Sequence, residues 1–192
     1  MADPCFPITS NFNECDGSAP NSNFDLELEV LVGTFSEIKT KTRNATTPLI
    51  YENLVMDSTE KMFTAYFRMK NPLDDMTETS EEKSFALTGK VEGEIVIYGR
   101  TPEAAYQKFV LDNNRIFMIA KQASQAGTSA HRIVIGGEAG LKPAPGENFT
   151  KDKGGYVFKF MADFLTYPQE YLWAGTEGAT AAIEAALIIA GV

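Results

Sequence analysis

Phe24-Asp25-Leu26-Glu27-Leu28-Glu29-Val30 alternates an apolar and an acidic residue at every step. Successive side chains of a strand point to opposite faces, so this stretch predicts a half-buried β-strand with its carboxylates outward. Leu31 and Val32 continue it, and Gly33 is expected to mark a bulge or bend.

Further strands follow downstream. Glu37 to Arg43 places Lys39, Lys41 and Arg43 on one face. That basic stripe suits either an acidic partner or an edge strand whose cations block further pairing. A short apolar run lies at Leu49-Ile50-Tyr51, and Met62 to Met69 reads as a strand that is apolar on both faces until Asn71-Pro72 breaks it. Leu73 to Lys83, with Asp74, Asp75, Glu78, Glu81 and Glu82, reads as a mobile or partner-dependent acidic loop. From Ser84 to Tyr98, Phe85, Leu87, Val91, Ile95 and Ile97 share one parity. Gly89 and Gly93 interrupt that set, which predicts a bent, bulged or hairpin strand.

Thr101-Pro102-Glu103 opens a helix, with a capping hydroxyl, proline at the first helical position and an acid in the first turn. Its expected apolar stripe is Ala105, Tyr106, Phe109 and Val110, and Asp112-Asn113-Asn114 stops it. Strands at Arg115–Ala120 and His131–Ile135 flank a small-residue loop from Ser124 to Ala130. Gly136-Gly137-Glu138-Ala139-Gly140 turns the chain. Beyond the Pro/Gly loop from Leu141 to Lys153, Asp152-Lys153-Gly154-Gly155 predicts a hairpin turn. Tyr156 to Phe164 then forms an aromatic strand with Tyr156, Phe158 and Phe160 on one face. The Ala-rich tail predicts a short helix around 180–190. Its stripe of Ala182, Ile183, Ala186, Leu187 and Ala190 either packs on the chain's own sheet or docks on a neighbour.

The fold class expected is mainly β, a β-sandwich or small barrel, with one packed α-helix near 102–112 and a short C-terminal helix. The expected organisation is an N-terminal arm at 1–23, a β-rich core domain at 24–175 and an apolar tail at 176–192. The 192 residues suit one domain, and 44% hydrophobic content is enough for a core without staples. A formal charge of −9 repels phosphate backbones and anionic lipid, so neither nucleic-acid binding nor membrane docking is expected. Met1 to Pro7 lacks the charged and apolar regions of a secretory leader, and no 18-residue apolar run exists to span a membrane. Synthesis in a cytoplasm is expected, which leaves the glycosylation-like Asn44-Ala45-Thr46 and Asn148-Phe149-Thr150 without weight. Cys5 and Cys15 lie in the arm, where they could close a small loop; a free thiol pair is the preferred reading.

Motifs that carry chemistry are sparse. His131 is the only imidazole, so any Ser–His–Asp, Cys–His or zinc arrangement would have to use it. Gly136, Gly137 and Gly140 miss the dinucleotide fingerprint, there is no phosphate-loop motif, and the acidic loop lacks calcium-loop spacing. Carboxylate pairs depend on placement in space that sequence does not give. The chain is therefore read as a non-enzyme, with no catalytic, cofactor-binding or metal residue assigned and no cofactor.

Three segments point to a family. Phe109-Val110-Leu111-Asp112-Asn113-Asn114-Arg115-Ile116-Phe117-Met118-Ile119-Ala120-Lys121 is followed by Arg132-Ile133-Val134-Ile135-Gly136-Gly137-Glu138-Ala139-Gly140-Leu141, then by Asp152-Lys153-Gly154-Gly155-Tyr156-Val157-Phe158. This order, over residues 109–165, resembles virion structural proteins of tailed bacteriophages, including phages of gut and marine Bacteroidetes. The resemblance implies a self-assembling homo-oligomer that contacts other virion proteins, resides in the virion and carries no catalytic residues. A tail-tube subunit is the foremost expectation. Such subunits stack β-sandwiches or barrels with a flanking helix as rings around a DNA channel, and a negative lumen would let DNA slide past. A capsid auxiliary, decoration or neck protein is the alternative within the class. A carbohydrate- or protein-binding β-sandwich module is the alternative outside it, with the single Trp173 offering little platform. An enzyme with an unmarked carboxylate site is the third.

Overall fold

The computed structural model describes residues 12–13, 26–57, 59–67, 72–83, 86–122, 131–146, 149–151, 154–167 and 169–189. The expectations for Cys5, Cys15, most of the arm and the 124–130 loop fall outside these residues. Strands β1 (Phe12–Asn13), β2 (Leu26–Thr34), β3 (Ile38–Arg43), β4 (Ile50–Met56) and β5 (Phe63–Tyr66) come first. Strands β6 (Thr77–Lys83) and β7 (Ala86–Tyr98) precede helix α1 (Pro102–Asp112). Strands β8 (Ile116–Gln122), β9 (Arg132–Ile135), β10 (Lys142–Pro143), β11 (Phe149–Thr150), β12 (Gly155–Leu165) and β13 (Glu170–Leu172) lead to helix α2 (Glu177–Ile188).

The chain is mainly β. Eight strands form one sheet in the order β1-β5-β2-β8-β9-β13-β4-β3, and β10-β12-β7-β6 form a second, with β11 beside β12. Neighbours are antiparallel except β1–β5 and β13–β4. The alternation that predicted β2 gives way at Val30-Leu31-Val32 to a run with no polar step, and the reason is double burial. Val30 and Val32, with Met118 and Ala120 opposite, enter a core shared with Val91, Ile95, Phe158 and Phe160 of the second sheet. Leu31, Phe117 and Ile119 turn the other way, into a core with Tyr51, Leu54, Leu172 and Leu187 of α2. Strands covered on both faces read as continuous apolar runs. The molecule is thus three-layered: the second sheet with α1, the large sheet, then α2.

Several local expectations change. Gly33 is a close-packing site rather than a bend, since a Cβ there would lie 2.8 Å from the Phe117 ring. β7 is one continuous strand of 13 residues, neither broken nor folded as a hairpin. Gly93 makes room for Phe160, whose ring would sit 2.6 Å from an added Cβ. The irregularity lies instead in β12, between Ala162 and Leu165, where Phe164 has φ 60° and is 68% exposed.

The stretch read as an acidic loop is a short 3-10 turn, Pro72–Asp75, followed by β6, which pairs with β7 along its whole length. β6 is an edge strand, where acidic residues are tolerated because they discourage pairing with another chain. Composition therefore mimicked a loop. Glu78 pairs with Val91 and shares its inward face, and burial pushes its carboxyl up to about 6.

α1 starts as expected, with the Thr101 hydroxyl accepting from the Ala104 N–H at 3.2 Å. Its buried face is Ala104, Lys108, Val110 and Leu111, while the expected stripe members Tyr106 and Phe109 are exposed and stack at 6.4 Å. The misreading came from Lys108. Its stem is buried while the ammonium pairs with Asp112 at 2.5 Å and lies 5.9 Å from the Phe158 ring centroid.

Glu78 makes a pH prediction. Between pH 4.5, the ordinary glutamate value, and about 6 the folded chain keeps the Glu78 proton that the unfolded chain has released. This contribution to stability is complete below that window and is lost as pH rises through it. Urea unfolding across the window should show stability falling with pH in the native chain and a flatter profile in Glu78→Gln. Equal slopes would contradict the assignment.

Candidate functional site: two buried ion-pair clusters and an uncharged helix face

The Gly136–Gly140 turn closes through the Gly140 N–H donating to the Gly136 carbonyl at 2.9 Å, with φ of 77° and 73° at its two ends. It packs onto Glu170, a carboxylate only 2% exposed. Glu170 accepts hydrogen bonds from the Tyr51 hydroxyl at 2.7 Å, from the Glu138 backbone N–H at 2.9 Å and from the Arg43 guanidinium. A Cβ on Gly137 would fall 2.9 Å from both the Glu170 carboxylate and the Tyr51 ring, so only glycine lets the turn approach. Lys41 donates to the Gly137 and Glu138 carbonyls at 2.9 and 3.1 Å. The Glu138 carboxylate accepts from the backbone N–H groups of Thr166 and Tyr167. Arg43 lies over the rings of Tyr51 and Tyr167. The basic stripe therefore resolves toward the edge-strand reading: β3 is the outer strand of the large sheet, and Lys41 and Arg43 serve contacts within the chain.

Burial pushes the Glu170 carboxyl up, and Tyr51 and Arg43 pull it only part of the way back. Burial, then the Glu170 charge, pushes the Tyr51 hydroxyl up as well, so it remains a donor. An acid–base pair works only within hydrogen-bond reach of a substrate. With Tyr51 at 0% and Glu170 at 2% exposure, and their hydrogen bonds directed at one another, the geometry suits a structural clasp.

The second cluster surrounds Arg132, also 2% exposed. Its guanidinium donates to Glu177 at 2.6 and 3.0 Å and to Glu184 at 2.8 Å, a two-carboxylate cradle supplied by α2. Burial alone would lower the pKa of this cation; hydrogen bonds and charge from Glu177 and Glu184 reverse that and raise it. The bond from Arg132 holds the Glu177 carboxyl below its usual range. His131, next in sequence, stacks on Trp173 at 4.6 Å and meets Tyr171 edge-on. Among the described residues there is no group of three or more His, Cys, Asp or Glu that could hold a metal ion.

α2 is the element on which these contacts converge. The sequence stripe is borne out in part: Leu187 is buried and Ile183 packs beside it, whereas Ala182 and Ala186 are exposed. The helix begins at Glu177, about a turn earlier than expected, capped by the Thr176 hydroxyl, which accepts from the Ala179 N–H. Thr180 is fully buried, accepting from the Ala174 N–H and donating to the Thr176 carbonyl. The Met62 N–H caps the Leu187 carbonyl at 2.8 Å. The two charged residues of α2, Glu177 and Glu184, both reach for Arg132, so the exposed helix positions are Gly178, Ala179, Ala182, Ala185, Ala186 and Ile188. Between α2 and β4 runs a groove of about 250 Å³, floored by Leu54, Met56, Ile183 and Leu187 and edged by Asp57 and Glu60.

Sequence reasoning missed Glu170, Tyr51 and Arg132 as a set. Arg132 did leave a signal, as a full charge heading an otherwise apolar strand. Glu170 left none, because its partners Arg43 and Tyr51 lie 127 and 119 residues away.

Arg132→Met should destabilise the fold by about 1–3 kcal/mol in denaturant titration, because it removes the bonds that hold α2 to the sheet while Glu177 and Glu184, 37% and 21% exposed, are partly rehydrated. Removing the whole cluster, as Arg132→Met with Glu177→Gln and Glu184→Leu, should recover most of that loss. A single variant costing less than about 1 kcal/mol would contradict the role given to this cluster.

Comparison with protein-family models, with curated proteins and with solved structures returned no match.

Proposed function

We propose that this chain is a non-enzymatic structural subunit of a bacteriophage virion, foremost a self-assembling tail-tube protein. The observation that carries the assembling part is the outward face of α2. A helix on the surface of a lone protein normally presents its charged side to water. α2 spends both its carboxylates inward on Arg132 and presents glycine, alanine and isoleucine instead. A neighbouring subunit would cover that surface.

The virion part rests on the resemblance over residues 109–165, a span that includes the end of α1, β8, β9, the Gly136–Gly140 turn and the β11–β12 hairpin. A mainly β fold with a helix between two strands suits that class. The −9 charge suits a wall past which DNA moves without adhering. The two buried clusters act as clasps: one fixes the Gly-rich turn and the other fixes α2. Rigid placement of a docking face is what repeated stacking requires.

Light scattering and negative-stain microscopy over a concentration series test the reading. Rings or tubes, with mass rising as concentration rises, are expected. Ala185→Glu should shift the chain toward monomer, since it places an unpaired charge on the face to be buried. A monomer at every concentration would contradict the proposal.

A further inference from the structure

We infer that the groove between β4 and α2 receives the basic, aromatic end of the second sheet of another copy of this chain, joining copies head to tail. This inference rests on the assembling reading above and names its contact.

The groove supplies the first half of the case. At about 250 Å³ it falls below the roughly 300–1,000 Å³ of typical small-molecule pockets, so it suits one or two side chains better than a metabolite. Its floor is apolar and its rim is acidic: Asp57 and Glu60 line it, and Glu37 stands close enough to act on Glu60. The Glu60 carboxyl is pushed up by partial burial and then by the charges of Glu37 and Asp57. Crowded carboxylates beside an apolar floor attract a cation carried on an apolar or aromatic anchor.

The chain carries such a feature on its other sheet. At the end of β7, Tyr98 is 41% exposed and Arg100 follows two residues later, its guanidinium 5.2 Å from the Phe149 ring centroid. The Gly99 N–H donates to the Gly154 carbonyl at 3.1 Å, tying this end to the β11–β12 hairpin, where Lys151 is exposed. Glu103, the acid that follows, bonds to its own backbone and to Thr101, as a helix-capping residue does. Arg100, Lys151 and the exposed Tyr98 thus lie at one end of the second sheet.

Geometry and charge together select the mode of contact. The groove lies on the α2 side of the large sheet and the basic end belongs to the second sheet beyond the inter-sheet core, so one copy cannot satisfy both. A two-fold contact of α2 against α2 would set acidic rim against acidic rim and is disfavoured. Two different patches that fit one another give a heterologous interface, which propagates into rings or filaments.

Charge exchange tests this. One variant carries Glu37→Lys with Glu60→Lys, the other Arg100→Glu with Lys151→Glu, and circular dichroism checks that each folds. Sedimentation at low salt should show association of each variant alone weakened by about tenfold or more. An equimolar mixture should regain it, since each altered patch then meets its complement. Ala186→Trp, which fills the groove without changing charge, should block association in the native background. Native chains that associate while all three variants do so unchanged would overturn this contact and leave the assembling reading standing. Native chains that never associate would overturn both.

Discussion

A guanidinium held at 2% exposure needs carboxylates around it, and Arg132 takes both of its own from one helix. The rest of the arrangement follows from that demand. An uncompensated buried charge costs several kcal/mol, so α2 must present Glu177 and Glu184 toward the sheet. A helix with only two charged residues then has none left for its outer side. The same docking places Leu187 and Ile183 over the large sheet and covers the apolar residues of β2 and β8 that the inter-sheet core leaves behind. Satisfying the interior thus makes the exterior apolar.

The Glu170 cluster does comparable work elsewhere on the sheet. It joins β3, β4 and β13 to the Gly136–Gly140 turn through one buried carboxylate. Without a side chain at Gly137, the turn can reach Tyr51 and Glu170. Both clusters convert charge into fixed geometry, and the Glu170–Tyr51 pair is closed off by burial. That distinction matters because a buried, shifted carboxylate is also what an active site displays. At Glu170, burial and the hydrogen bonds spent on Tyr51, Arg43 and the Glu138 N–H favour a structural role.

How much was legible in the sequence depended on how local each cause is. The start of α1 was readable because Thr101, Pro102 and Glu103 act within one turn, and β12 was readable because Tyr156, Phe158 and Phe160 alternate over a short span. The buried face of α1 was misread because Lys108 hides its stem and presents polarity in the sequence. β6 was misread because an edge strand with one partner can afford the composition of a loop. The double burial of β2 was written in Val30-Leu31-Val32, yet nothing local said which layer would lie on each side. The Glu170 and Arg132 clusters were out of reach, since their partners come together only once strands distant in the chain have paired.

The claim most directly at risk is that the outer face of α2 is a surface for assembly. Hydrogen–deuterium exchange followed by mass spectrometry, on dilute and on concentrated protein, measures it without altering the chain. The account predicts that amides of 177–189 and of β4 exchange more slowly at high concentration, while those of β8, already buried on both faces, do not change. Unchanged exchange across α2 and β4 in a sample that has demonstrably assembled would contradict it.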